Sequence, residues 1–236
     1  MRIFRPLQPV RAISFDLDDT LYDNRPVMAH AEQGLCDYLS QQLAIAVSPQ
    51  AYLQARQQVL RGESQLGDDV SRLRRATVQL LAQAQGWPQH RAQQLGDAAF
   101  DHFLQLRNRV TVPDASHQLL ATLARRYPLI AISNGNVDVA AIGLAGYFTA
   151  LLRAGDGWPM KPARPLFAEA ERLLGVSGSA ILHVGDHAET DVYGALAAGW
   201  QAAWIDHGHS PLPRLLPTFA IGQLGQLADV LQIQGR

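Results

Sequence analysis

Four short apolar runs, each stopping abruptly at polar residues, constrain the fold of this chain more than any other feature. Ala12–Phe15 (AISF) stops at Asp16-Leu17-Asp18-Asp19, and Leu129–Ile132 (LIAI) at Ser133-Asn134-Gly135-Asn136. Ala180–Val184 (AILHV) stops at Gly185-Asp186, and Ala202–Ile205 (AAWI) at Asp206. Short continuous apolar runs without alternation read as strands buried on both faces. Thr149–Leu152 and Phe219–Ile221 are shorter candidates. Apolar residues at helical spacing mark His117–Arg126, Pro165–Leu174 with Gly175 as C-cap, and Thr190–Ala198 before Gly199. This alternation of strand and helix from about residue 112 predicts a parallel sheet covered by helices on both faces.

Residues 24–110 differ. No strand pattern occurs there, and Ala, Gln, Leu and Arg dominate. Helical periodicity covers Ala29–Leu43, Gln50–Leu60, Val70–Gln85 and Arg91–Leu106, with breakers at Ser48-Pro49, Gly62–Gly67 and Gly86-Trp87-Pro88. The expected architecture is α/β: a Rossmann-like, doubly wound parallel-sheet core (1–23 and 111–236) with a four-helix domain (24–110) inserted between its first two strands. Asp23–Pro26 and Thr111–Pro113 are the expected hinges, and the tail after Gly208 is expected on the sheet edge.

Composition narrows the function. The chain has 236 residues, is 47% hydrophobic and carries a formal net charge of -1, which gives no electrostatic basis for nucleic-acid binding. The one cysteine, Cys36, permits neither an internal disulfide nor a thiolate metal site, and reads as a small core residue. Met1–Val10 lacks the apolar stretch of a signal peptide, and no run approaches the ~20 apolar residues of a membrane span. A cytoplasmic protein, monomer or homodimer, with neither a membrane nor a nucleic-acid partner, is the expectation.

Parallel α/β sheets present ligands at the C-terminal ends of their strands, and the polar groups above converge there. Asp16 and Asp18 form a carboxylate pair that can divide nucleophilic and acid–base work, although paired Asp residues also cap helices and make turns. Asp186 and Asp191 supply more carboxylates. Asp16, Asp186 and one backbone carbonyl suit Mg²⁺, a hard cation that takes oxygen ligands; the competing reading makes Asp186 or Thr190 a helix N-cap and Asp191 a first-turn acid. Ser133 with the amides that follow makes an anion cradle or an ordinary turn. Of 20 basic residues only Lys161 is lysine, which suggests a site needing a compact point charge that guanidinium cannot mimic.

Together, Asp16-Leu17-Asp18-Asp19-Thr20, Ser133, Lys161-Pro162 and Gly185-Asp186 with Asp191 resemble the four motifs of the haloacid dehalogenase-like hydrolase superfamily, in chain order. The insertion resembles the helical cap of one of its subclasses. The stretch Phe15–Pro26, with Ser133–Asn136, is similar to bacterial flavin-pathway phosphatases acting on FMN and on phosphorylated ribitylaminouracil. The resemblance implies an Mg²⁺-dependent phosphatase acting on a small phosphate ester. Asp16 would be nucleophile and Asp18 acid/base; Asp16, Asp18 and Asp186 would hold the metal, with Asp191 behind them. Ser133, Asn134 and Lys161 would bind phosphate. Arg72, Arg75, Tyr22 and Trp87 are candidates for the leaving group, against plain surface or core roles. A dehalogenase needs neither an acid at 18 nor a metal at 186. A phosphomutase uses the same motifs. A phospho-accepting receiver has no place for the insertion.

Overall fold

The computed structural model describes residues 1–208 and 213–232. The chain forms two compact units: Asn24–Val110 with Asn136–Asp138, and the remainder.

The first unit is helical. Helices α1 (Arg25–Leu43), α2 (Pro49–Gly62), α3 (Val70–Ala84) and α4 (Gln89–Arg107) bury one core that includes Leu35, Leu39, Val78, Leu95, Ala99 and Phe103. Cys36 belongs to that core, and burial pushes its thiol pKa up, as befits an inert packing residue. Helices α1 and α2 start earlier than the apolar periodicity because Pro26 and Pro49 occupy the first turn, where no N–H is needed. Ser48 caps α2 by accepting from the Ala51 amide at 3.1 Å, and Asp69 caps α3 through Ser71 and Arg72. The Gly62–Gly67 breaker contains a turn of 3₁₀ helix, Ser64–Asp68.

The second unit is the α/β body. Its strands are β1 (Arg2–Ile3), β2 (Ala12–Phe15), β3 (Leu129–Ser133), β4 (Ala150–Arg153), β5 (Ile181–Gly185), β6 (Gln201–Ile205) and β7 (Phe219–Ile221), in the order β1-β7-β6-β5-β2-β3-β4. All neighbours are parallel except β1 and β7. Every residue of β2, β3, β5, β6 and β7 is buried, which explains the unbroken apolar runs. Helix α5 (Asp114–Ala124) leads into β3, α6 (Arg164–Leu174) joins β4 to β5, and α7 (Gly194–Ala197) joins β5 to β6. One side of the sheet packs Ile130, Ile132, Ile181 and Trp204 with Phe167, Ala170 and Trp200. Burying each large apolar side chain contributes roughly 1.5–3 kcal/mol.

From β2 the chain steps to β3 and β4 on one side, then crosses back to β5 on the other. The strand order therefore reverses at β2, and the crevice at such a switch point is where open α/β sheets bind ligands. Several short elements were not foreseen, a last helix α8 (Gln226–Val230) among them. Strand β1 has only two residues and no apolar run; it adds antiparallel to β7, with Arg2 paired to Asp206. Thr190–Ala198 is not one helix. A π-helical turn spans Ala188–Tyr193 before α7, with the His187 side chain accepting from the amides of Glu189 and Thr190. His187 thus holds the N-cap that the sequence offered to Asp186 or Thr190.

Candidate active site

Strands β2, β3 and β5 deliver the chemistry. After β2 the chain doubles back: Leu17 carbonyl accepts from Thr20 and Leu21 amides, and Asp19 takes a left-handed φ of 56°, a conformation Asp tolerates. This tight turn presents Asp16 and Asp18 together. The Tyr22 hydroxyl donates to Asp18 Oδ1 at 2.7 Å.

Lys161 is the centre of the constellation. Its side chain is 1% exposed, and Nζ donates to Asp16 Oδ1 at 2.8 Å, Asp191 Oδ1 at 2.7 Å and the Ile132 carbonyl at 2.7 Å. An ammonium has three N–H donors, and all three are used. A planar guanidinium cannot direct three bonds to such a set, a physical reason for lysine in a chain that otherwise uses arginine. The Lys161 backbone is clamped by Asn134, whose Nδ2 donates to the Lys161 carbonyl at 2.9 Å and whose Oδ1 accepts from the Lys161 amide at 2.8 Å.

Asp191 is buried with both oxygens in use: Oδ1 accepts from Lys161 and from His183 Nε2 at 3.3 Å, and Oδ2 from the His187 amide at 3.0 Å. The π-helical turn places it so; a Cβ on Gly185 would sit 2.4 Å from the Asp191 carboxyl carbon. Thr20 Oγ1 lies 3.3 Å from both Asp16 Oδ2 and Asp186 Oδ1. The Asp186 carbonyl accepts from Trp204 Nε1 at 2.7 Å. Ser133 Oγ accepts from the Gly135 amide at 2.9 Å, leaving its hydroxyl hydrogen available to a ligand.

Oxygens of Asp16, Asp186 and Asp191 lie within 4.8 Å of one another. Of the three residues expected around a metal, the carboxylates of Asp16 and Asp186 are in this cluster, whereas that of Asp18 faces Tyr22 and Gly135. The protonation equilibria carry the strain of this crowding. Burial raises the Asp16 pKa well above its ordinary value; Lys161 opposes this and Asp191 adds to it. Burial, with Asp191 and Asp19 nearby, brings Asp186 up to about 6. Burial also works against Asp191, but Lys161 and His183 outweigh it and hold Asp191 below the usual carboxylate range. Burial lowers Lys161, yet Asp16 and Asp191 raise it further, so it stays charged. Two carboxylates thus share one ammonium with a third, Asp186, close beside them, and the donor atoms are all hard oxygens. That surplus of buried negative charge fits a divalent cation.

Sequence reasoning does not single out two residues of this site, His183 and Ser14, each inside an apolar run, and Thr20 enters only as part of the Asp16–Thr20 motif. The available signal was polar residues on neighbouring buried strands: Ser14 and His183 are register partners. Arg72 is exposed and caps with Asp69, and Arg75 pairs with Asp97 at 2.8 Å while its guanidinium lies 3.8 Å from the Phe100 ring centroid. Tyr22 is 3% exposed, and Trp87 lies under the Arg91 guanidinium.

Gly135 closes the turn against Asp18: a Cβ there would stand 2.5 Å from Asp18 Oδ2. Gly135→Ala is expected to displace that carboxylate and cost about 10-fold or more in kcat, with a melting temperature within a few degrees of the parent. Steady-state rates and a thermal melt check it.

Residues 10–199 match the model of the haloacid dehalogenase-like hydrolase family. The chain belongs to that family. A relative in Escherichia coli strain K12, 5-amino-6-(5-phospho-D-ribitylamino)uracil phosphatase YigB, is 37% identical over 98% of this chain and 100% of its own length. A phosphoglycolate phosphatase of Neisseria gonorrhoeae is 27% identical over 97% of this chain and 96% of its own. The crystal structure of a 2-haloacid dehalogenase from Pseudomonas syringae pv. Tomato DC3000 superposes with a TM-score of 0.89 at 36% identity, covering 94% of this chain and 98% of that one. This member of the haloacid dehalogenase-like hydrolases is a phosphatase-type enzyme. Among the described residues, no helix is long and apolar enough to cross a membrane.

Proposed function

We propose that the protein is an Mg²⁺-dependent phosphomonoesterase that passes the phosphoryl group through Asp16. The observation that carries this is the buried Lys161 ammonium shared between Asp16 and Asp191 beside Asp186. Asp16 attacks phosphorus, and the ester P–O bond breaks as Asp18 gives its proton to the leaving oxygen. Water then attacks the aspartyl-phosphate, passing a proton to Asp18 and releasing phosphate with the Asp16 carboxylate restored. The Tyr22 hydroxyl holds the Asp18 carboxyl in place through both steps. Ser133 and the amide of Asn134 bind phosphate oxygens, and Lys161 offsets the repulsion between a carboxylate and a phosphate dianion.

Asp16, Asp186 and the main-chain carbonyl of Asp18 would hold Mg²⁺, while Asp191, already engaged by protein donors, keeps Lys161 in register. When bound, the metal supplies positive charge that neutralises the carboxylates and the substrate phosphate. The helical unit, residues 24–110, would act as a cap that admits the substrate and excludes water, with hinges at Asp23–Pro26 and Thr111–Pro113. Arg72 is the cap residue we propose for the leaving group.

The full-length likeness to the E. coli enzyme favours 5-amino-6-(5-phospho-D-ribitylamino)uracil, with FMN as a related substrate. The likeness to a haloacid dehalogenase raises the competing chemistry, for which Asp18 and Asp186 have no use. Phosphate release from these two compounds, phosphoglycolate, sugar phosphates and a nucleotide, with and without Mg²⁺, and halide release from a 2-haloacid, separate the cases. Mg²⁺-dependent release favouring the two flavin-pathway compounds is expected. Halide release without phosphate release would overturn the proposal.

Mg²⁺ should stabilise the fold more at pH 7.5 than at pH 5. Asp186, raised to about 6, binds more protons folded than unfolded between pH 4 and 6, so its cost to the metal-free fold grows as pH rises through that window and is complete above it. The raised pKa of Asp16 acts in the same direction, whereas Asp191, held below the usual carboxylate range, acts oppositely near pH 4 and adds little slope between pH 5 and 7.5. A cation that needs the ionised carboxylates competes with those protons. Thermal melts with and without Mg²⁺ at the two pH values should show the larger shift at 7.5; equal shifts would remove Asp186 from the metal site.

A further inference from the structure

A polar pair lies within the otherwise apolar layer beneath α6. Ser14 on β2 and His183 on β5 are fully enclosed, register partners on adjacent strands, with His183 Nδ1 3.0 Å from Ser14 Oγ. The imidazole meets the rings of Phe167 and Trp200 edge-on, at centroid separations of 5.6 and 6.4 Å. Its Nε2 lies 3.3 Å from Asp191 Oδ1, the oxygen that also holds Lys161. Two large aromatic neighbours would pack as well against leucine, and burying polar groups in such a layer costs free energy unless each bond is made.

The hydrogens assign themselves. Ionised Asp191 only accepts, so Nε2 carries the hydrogen. Nδ1 then has a free lone pair, and Ser14 donates its hydroxyl to it. The bonds run Ser14 to His183 to Asp191, and Asp191 in turn accepts from Lys161, which donates to Asp16. We propose that His183 is a positioning residue for the hydrolytic reaction: locked by Ser14 in the Nε2–H tautomer, it fixes the Asp191 carboxylate and through it sets the Lys161 ammonium against Asp16. Burial holds the imidazole below its ordinary pKa, which keeps it neutral and able to serve as this relay of orientation. His183 touches neither Asp16 nor Asp186 and takes no part in bond making. The inference rests on the phosphatase assignment above.

Three measurements test it. Long-range ¹H–¹⁵N correlation of the wild-type protein at neutral pH should show His183 protonated on Nε2 and bare on Nδ1. His183→Leu should lower kcat for an Mg²⁺-dependent phosphate release by ~10–100-fold, the usual cost of losing a group that orients a ligand or a catalytic partner, with KM unchanged. His183→Gln, whose amide Nε2 can reach the same oxygen, should recover most of that loss, although it packs no better than leucine. The opposite tautomer, equal kcat for the leucine and glutamine variants, or a loss that follows only the melting temperature would overturn the proposal. If the leucine variant does not fold, the tautomer and the glutamine variant decide. A wild-type protein that releases no phosphate from any ester would instead fail the phosphatase assignment, with the tautomer still deciding the His183–Asp191 contact.

Discussion

Asp16→Asn protein should fold, bind Mg²⁺ more weakly, and lose phosphatase turnover by a factor of at least ~10⁴, the scale seen when a covalent nucleophile is removed. An amide is no nucleophile toward phosphorus, and no second carboxylate is set to replace it. Asp18 is held by Tyr22, and Asp191 by Lys161, His183 and the His187 amide. Stability should not fall with activity. Burial makes the Asp16 carboxylate costly, so a neutral amide in its place relieves charge while Lys161 keeps Asp191 and the Ile132 carbonyl. Steady-state rates beside a thermal melt read both. Near-normal turnover would remove Asp16 from the chemistry.

Lys161→Met should damage rate and fold together. In the proposed reaction the ammonium would offset phosphate charge, and losing such an electrostatic group costs ~10²–10³-fold in kcat. It also separates two buried carboxylates, and deleting one partner of a buried pair costs about 3–5 kcal/mol because the other charge is left uncompensated. The two effects come apart in the double variant. Lys161→Met with Asp191→Asn removes both charges of one pair and leaves only Asp16 without its ammonium, so part of the stability should return while kcat stays low. Recovery of both, or of neither, would contradict the roles given to Lys161. The cycle is valid because the two residues touch and each single variant breaks the same contact.

The fold was legible because its strands are buried on both faces and its helices are not. Short, mostly apolar runs such as Ala12–Phe15 and Leu129–Ile132 read as strands of a parallel sheet, and Gly175 read as a helix end; it takes the left-handed conformation there. What escaped notice lacks that signal. Strand β1 is held to β7 by pairing at the sheet edge, not by an apolar pattern. The π-helical turn at Ala188–Tyr193 keeps near-helical periodicity; what sets it apart is the Val192 amide reaching the His187 carbonyl five residues back, with Asp191 held across the fold by Lys161 and His183. Asp16, Ser133 and Asp186 were legible as polar strand ends, and Lys161 by its singularity. Ser14 and His183 were not, because nothing within one strand tells a buried polar residue that bonds across the sheet from one that merely packs.

The passage of phosphoryl through Asp16 is tested most directly by trapping it. On the proposed mechanism Asp18→Asn protein would lack the base for water attack, whereas p-nitrophenyl phosphate, with a leaving group that needs no protonation, should still phosphorylate Asp16. Mixing the two with Mg²⁺, quenching in acid during the first turnover and mapping peptides by mass should place a phosphoryl group on Asp16. Release of p-nitrophenolate with no adduct, or with the adduct on any other residue, would contradict the mechanism.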